Sequence, residues 1–302
     1  MLSGTFSEVT FSGRIKHYPD GSREVMACSK PWFRAQGWED RRPKIRSRPK
    51  PNGGDGDTAR AVRRARAQVR DLALCNAFTH FVTLTLDQNR VDRYDMEAIT
   101  RKLNVWLSNQ VQRRGLRYVL VPERHKDGAI HFHGFFNDVL ERVDSGTMIP
   151  PGGGKPRRPR SKAQRAAWEA DGGRVVWNLP GWSLGFTTAL ELVGDYRRAV
   201  SYVCKYIGKQ QVIDGAGVDK PGGRWYYSGG ELERPQVELA DLDPWEVRER
   251  PGARVIEVPE AGAVFVLWWD GPNPSPQLEF PPAGGNSPLA QEAAAPAGKG
   301  II

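Results

Sequence analysis

The chemistry that this chain could perform is concentrated in Ile130-His131-Phe132-His133-Gly134-Phe135-Phe136. Side chains in a β-strand alternate between faces, so His131 and His133 point one way and Ile130 and Phe132 the other. Two imidazoles side by side can hold one divalent ion. The competing description is a buried strand with two hydrogen-bonded core histidines. Two of the chain's five histidines stand here, two positions apart in an apolar run. Hiding two polar rings without partners is costly, and that favours the ion.

A third ligand is expected on the preceding strand, Arg117-Tyr118-Val119-Leu120-Val121-Pro122-Glu123. Asp127-Gly128 between two apolar runs signals a hairpin. A three-residue loop, Lys126-Asp127-Gly128 with Gly128 left-handed, sets His125 opposite Ala129 and Glu123 opposite His131. A two-residue loop would shift the parity and turn Glu123 away, so the loop length is part of the expectation. By itself Glu123 could equally be a solvated strand-end carboxylate. His125 shares the ligand face, at its rim.

Downstream, Asp195 to Lys209 reads as a helix that Asp195 can cap and Gly208 weakens. Tyr202, Tyr206 and Lys209 fall on one face at four- and three-residue steps, with Lys205 adjacent. Alone, this pattern describes two core aromatics with lysines reaching outward. Beside a metal strand, it describes two phenols and two cations close to an ion.

Other elements must bring these pieces together. Phe78 to Leu86 is the cleanest strand, with Thr83 and Thr85 on one face and Val82, Leu84 and Leu86 on the other. An amphipathic helix from Asp95 to Arg113 turns Met96, Ile99, Leu103, Trp106, Leu107 and Gln110 inward and stops at Gly115. Trp182 to Leu190 is a further strand, and Arg224 to Tyr227 begins a short one.

The chain has 302 residues, a net charge of +9 and a pI near 9.6. Such a basic chain suggests nucleic acid or another anionic surface as partner. Cys28, Cys75 and Cys204 are scattered without a CxxC pair, which fits a reducing compartment and argues against a disulfide frame or zinc knuckle. No apolar run spans a bilayer and no signal peptide is read, so the expectation is a cytoplasmic protein without membrane contact.

Residues 4–28 read as a β-hairpin turning at Tyr18-Pro19-Asp20-Gly21-Ser22. Residues 39–70 hold eleven Lys or Arg against four acids. Their first part is broken by Pro43, Pro49, Pro51, Gly53 and Gly54 and reads as loop. From a cap at Asp57 or Thr58 the pattern is helical, and Arg60, Arg63, Arg64, Arg66 and Arg70 decorate it. With no matching acids nearby, phosphate contact is expected. Residues 137–175 read as an insertion with a second basic run, Lys155, Arg157, Arg158, Arg160, Lys162 and Arg165. Gly152-Gly153-Gly154-Lys155 lacks the spacing and hydroxyl of a P-loop. Leu242 to Arg250 is read as helical, Ala253–Val258 and Ala263–Asp270 as a hairpin, and the Pro/Gly/Ala-rich segment from Gly271 as disordered. The expected division is 1–75 (hairpin and basic segment), 76–270 (the domain carrying the chemistry) and 271–302 (tail).

Three motifs stand in fixed order: Phe81-Val82-Thr83-Leu84-Thr85-Leu86, then Glu123 with His131-Phe132-His133, then Tyr202-Val203-Cys204-Lys205-Tyr206. Together they resemble the HUH endonucleases, specifically the rolling-circle replication initiators of plasmids and small single-stranded DNA phages, in their two-tyrosine branch. The likeness covers roughly residues 76–230. It implies an α+β fold: an antiparallel central sheet of about five strands with packed helices, RRM-like in outline. It also implies roles: His131, His133 and Glu123 on Mg²⁺ or Mn²⁺, Tyr202 and Tyr206 as nucleophiles, and Lys205 and Lys209 helping to hold phosphate or metal-bound groups. Two imidazoles and a carboxylate would bind Mn²⁺ or Zn²⁺ more tightly than Mg²⁺. The implied partners are single-stranded or supercoiled origin DNA and, with no helicase motif in the chain, a host helicase and DNA polymerase. A two-tyrosine transposase shares the chemistry. A relaxase is disfavoured because the tyrosines follow the metal strand. A non-catalytic RRM-like binder would need surface aromatics, for which Phe132, Phe135 and Phe136 are candidates better suited to the core.

Overall fold

The computed structural model describes residues 10–34, 55–125, 127–207, 223–258 and 262–269. These residues fall into two compact units. One gathers residues 10–34, 234–258 and 262–269; the other gathers those between 55 and 233.

In the first unit, β1 (Thr10–Phe11) opens the chain. The expected hairpin follows as β2 (Gly13–His17) and β3 (Arg23–Cys28). Its turn closes through Tyr18 N–H to Ser22 O, with Gly21 left-handed at φ 83°. β4 (Phe33–Arg34) then pairs with β1.

The second unit starts with α1 (Asp55–Cys75). Val62, Ala65, Val69, Leu72 and Ala73 recur at three- and four-residue steps and are buried, which gives this arginine-rich helix one face to dock. β5 (His80–Leu86) follows, then α2 (Met96–Arg114). Asp95 caps α2 by accepting from the backbone N–H of Glu97 and Ala98, and Gly115 ends it at φ 68°. Next come β6 (Tyr118–Arg124), β7 (Ile130–Phe136), β8 (Val143–Ile149), α3 (Lys162–Ala170), β9 (Arg174–Asn178), β10 (Gly185–Glu191), α4 (Tyr196–Tyr206) and β11 (Tyr227–Gly229).

The chain then returns to the first unit with β12 (Gln236–Ala240), the short helix α5 (Pro244–Arg248), β13 (Arg254–Val258) and β14 (Gly262–Trp269). The expected terminal hairpin is β13–β14. It joins the N-terminal hairpin in a five-stranded antiparallel sheet ordered β12-β2-β3-β14-β13. Ile15, Val25, Ala27, Leu242, Val247 and Phe265 form its core.

The central sheet of the second unit has seven strands, not about five, in the order β11-β6-β7-β5-β10-β9-β8, every pair antiparallel. The two extra places are taken by β8 and β9. The stretch 137–175, expected as an insertion, therefore extends the sheet and carries α3 between its strands. Part of its basic run is spent internally: Arg165 pairs with both Asp144 and Glu169. The first boundary also differs. α1 packs with the second unit, so the units divide before residue 55 rather than at 75.

Helices cover both faces of this sheet. On one side, Ile99, Leu103, Trp106 and Leu107 of α2 meet Leu84, Ile130, Phe132 and Phe136. On the other, Val69 and Leu72 of α1 and Val200 and Val203 of α4 meet Val119, Val121 and Phe135. Phe132, Phe135 and Phe136 are thus core residues, each worth about 1.5–3 kcal/mol of apolar burial, and are closed to any base. Gly134 lies between them because a Cβ there would collide with the Val119 carbonyl oxygen. Among the described residues no helix is long and apolar enough to cross a membrane. The segment from Gly271, the proline-rich part of the basic segment, Lys126 and Lys209 lie outside the described residues.

Candidate active site

The β6–β7 hairpin closes as the three-residue loop requires. His125 N–H donates to Ala129 O, and Gly128, at φ 87°, donates its N–H to His125 O. Glu123 is consequently the register partner of His131, and Val121 that of His133. On the other flank β5 sets Thr85 against His131 and Thr83 against His133. One sheet face therefore carries two rows, Glu123–His131–Thr85 and Val121–His133–Thr83.

The threonines, not assigned a role from sequence, bind the histidines. Thr83 Oγ1 lies 3.0 Å from His133 Nδ1, and Thr85 Oγ1 lies 3.3 Å from His131 Nδ1. Each ring is thereby held through Nδ1, which leaves Nε2 for another partner. His133 Nε2 meets Glu123 Oε2 at 2.9 Å, with both side chains mostly buried. The His125 ring stacks on His131 at 5.2 Å, at the rim as expected, and pairs with Asp127. Burial, with the neighbouring His133 and His125, lowers the pKa of His131 below the ordinary imidazole value. A lone pair is then available near neutrality.

Above this face lies α4. Asp195 caps it, accepting from Arg198 N–H, and Ile207 ends it, so the helix is shorter than the Asp195–Lys209 span read from sequence. Val200, Val203 and Tyr206 point into the sheet. The Tyr206 ring lies flat on His133, with centroids 4.2 Å apart and planes 10° apart. Its hydroxyl donates to the Tyr202 oxygen at 2.6 Å. The Tyr202 ring stands edge-on to Phe81 and to Tyr206. The two phenols are unlike: Tyr206 is 9% exposed and Tyr202 41%. Burial, the hydrogen bond to Tyr202 and the charge of Glu123 all push the Tyr206 pKa up, so it stays protonated.

Residues 79–211 match the family model for the replication-associated protein ORF2 family. The matched span runs from the start of β5 through α4, and so contains both histidines, Glu123, both threonines and both tyrosines. It covers less than half of the chain and leaves out α1 and the five-stranded unit. No curated protein and no solved structure gave a significant match.

α4 is clasped by α1. Arg66 Nε donates to the Ile207 carbonyl at 2.9 Å, and Tyr196 donates its hydroxyl to the Ala73 and Asn76 carbonyls at 2.7 and 3.2 Å. Cys204, between the two tyrosines in sequence, turns its thiol to the Arg66 carbonyl. Arg66, expected on DNA, thus holds the end of the tyrosine helix. Arg60, Arg63 and Arg64 are exposed along α1, and Arg70 is half-buried beside Asp71. Lys205 is exposed on α4 and makes no hydrogen bond or ion pair among the described residues.

Among the described residues, no three His, Cys, Asp or Glu side chains are gathered tightly enough to hold an ion as they stand. The Glu123 carboxylate rests instead on His133. The donor set nevertheless suits a divalent ion: two imidazoles held through Nδ1, a carboxylate in the row of His131, and a lowered imidazole pKa at His131. His133 Nε2–H now donates to Glu123. With a proton on Nδ1 instead, accepted by Thr83, Nε2 would be free to coordinate. Exchanging both Thr83 and Thr85 for Val keeps their shape and removes those partners. Mn²⁺ affinity measured by calorimetry should fall about 10- to 100-fold, the usual effect of losing groups that orient ligands. Unchanged affinity would mean that the threonines do not orient the rings.

Proposed function

We propose that the chain is a rolling-circle replication initiator that nicks and rejoins single-stranded origin DNA through a 5′-phosphotyrosine. One observation carries the reading: the Tyr206 ring stacked on His133 and its hydroxyl bonded to Tyr202. Two phenols so share a pocket with an imidazole–carboxylate cluster. The match over residues 79–211 to a replication-associated family supports it.

In this reading the exposed Tyr202 oxygen attacks the scissile phosphorus. A bond forms between phosphorus and the phenolic oxygen, the bond from phosphorus to the 3′ oxygen breaks, and that oxygen takes a proton from solvent to leave as a 3′-hydroxyl. The phenolic proton passes to solvent. Phenols ionise near pH 10, so few are charged at neutrality. The Tyr206 hydroxyl, donating to the Tyr202 oxygen, strengthens its bond as charge develops there. His131, His133 and Glu123 would hold Mg²⁺ or Mn²⁺, which when bound offsets charge on the phosphate. Lys205 and Lys209 would contact phosphate, and Arg60, Arg63 and Arg64 would track the incoming strand. The phosphotyrosine conserves the ester, so the break can be resealed without ATP, and a second tyrosine permits a second transfer. The free 3′-hydroxyl primes synthesis by a host polymerase, with strands parted by a host helicase.

The test is a panel of end-labelled single-stranded oligonucleotides tiling the candidate origin, incubated with the chain and Mn²⁺ and run on a denaturing gel. A covalent adduct of the downstream fragment, joined through its 5′ phosphate, with a free 3′-hydroxyl on the upstream product, is expected. A panel left intact, or cut without adduct, would sink the proposal.

A further inference from the structure

The rows that carry the histidines do not end at β5. β10 continues them: Phe186 is the register partner of Thr85, and Thr188 that of Thr83. The first row therefore reads Glu123, His131, Thr85, Phe186 across four strands, all on one face. Helices roof only part of this face. Phe81, Val119, Val121 and Phe135 lie under α1 and α4. Phe186, by contrast, is 66% exposed, and Thr188 beside it is exposed too. Their neighbour Thr187, on the opposite face, is buried and binds Leu179 N–H. Phe186 is thus the large apolar side chain left bare in the histidine rows, about 10 Å from His131 by the spacing of two strands.

We infer that Phe186 is a stacking platform for an unpaired DNA base flanking the scissile phosphate, with the Thr188 hydroxyl beside it to meet the strand. This deepens the proposed function and rests on it. Three observations select this occupant. The ring lies on the same face and in the same row as the ligand histidine, so a strand whose phosphate sits over His131 runs onto β10 within a short segment. The chain is strongly basic, at +9, which suits a polyanion rather than a neutral partner. An aromatic face accepts any base, so the platform is tolerant of sequence and needs only a single strand.

The experiment compares full-length chain with Phe186→Ala and Phe186→Trp by fluorescence anisotropy in EDTA, so that no cleavage intervenes. The probes are a labelled oligodeoxythymidine, an abasic oligomer of equal length and a duplex. Phe186→Ala should weaken oligodeoxythymidine binding roughly 10- to 100-fold, the range for losing one base–aromatic stack. It should leave abasic and duplex binding unchanged, and Phe186→Trp should restore affinity. Equal affinity of Phe186→Ala and the parent chain overturns the platform. So does an equal loss on all three probes, or a change in sedimentation without a change in DNA binding, which would assign the ring to a protein contact. The Mn²⁺ adduct assay, run in parallel on the parent chain, separates the two ideas. A parent chain that forms adduct while Phe186→Ala binds normally leaves the initiator reading standing and removes only the platform. A parent chain that forms none removes the initiator.

Discussion

Tyr202→Phe should abolish adduct formation in the first-turnover assay, a fall of about four orders of magnitude or more, as befits a lost covalent nucleophile. Tyr206→Phe should cost far less. Its ring still lies on His133, and what disappears is the hydrogen bond from its hydroxyl to the Tyr202 oxygen. A bond to a developing charge is worth about 1.5–3 kcal/mol, or roughly 10- to 150-fold in rate. The asymmetry follows from placement. Tyr202 faces solvent, while Tyr206 is buried and held protonated. The double variant should form no adduct. Equal, mild defects in the two single variants would show the phenols to be interchangeable and the asymmetry irrelevant.

His133→Ala should be the second most damaging change, because several contacts meet on that ring. Nδ1 sits on Thr83, Nε2 on Glu123, the face carries Tyr206, and Phe81 stacks alongside. Truncation removes the His133 contact of the mostly buried Glu123 carboxylate and should lower stability by about 1–3 kcal/mol, read from urea unfolding. Mn²⁺ binding should be lost. Adduct formation should fall about a thousandfold, the several kcal/mol that a charge-offsetting ion contributes. The two losses can be separated by assaying well below the unfolding midpoint, where the variant is folded. Undiminished adduct formation there would remove His133 from the chemistry and leave it a structural ring.

The site was legible in the sequence wherever local geometry decides. Period-two alternation set His131 and His133 on one face, and Asp127-Gly128 marked the hairpin, which brings Glu123 across because its loop is the longer of the two that this pair allows. Asp95, Gly115 and Asp195 marked helix ends because caps act within one turn. What escaped depends on pairing between distant segments. Thr83 and Thr85 acquire their role only when β5 pairs with β7, about fifty residues on, a register that no turn specifies. β8 was missed because Val143-Asp144-Ser145-Gly146-Thr147 carries no apolar alternation and lies exposed or half-buried on the edge strand of the sheet. Tyr202 and Tyr206 have equivalent helical positions. Only the packing of α4 on the sheet makes one buried and the other accessible. Phe186 read as an ordinary strand residue, since exposure is a property of what fails to cover it.

The clasp between α1 and the tyrosine helix has an asymmetry of its own. Its donors are side chains, Arg66 and Tyr196, but its acceptors at Ala73, Asn76 and Ile207 are main-chain carbonyls. Every amino acid supplies such an oxygen, so the clasp itself asks nothing of the side chains at 73, 76 and 207; burial, and at Asn76 the bonds of the amide to Leu72 and Glu233, restrict them instead. At 66 and 196 the bond to the carbonyl is itself the restriction. Relatives that hold their phenols in this way should keep a donor on the giving side of each bond, while on the receiving side only packing and local bonding select the residue.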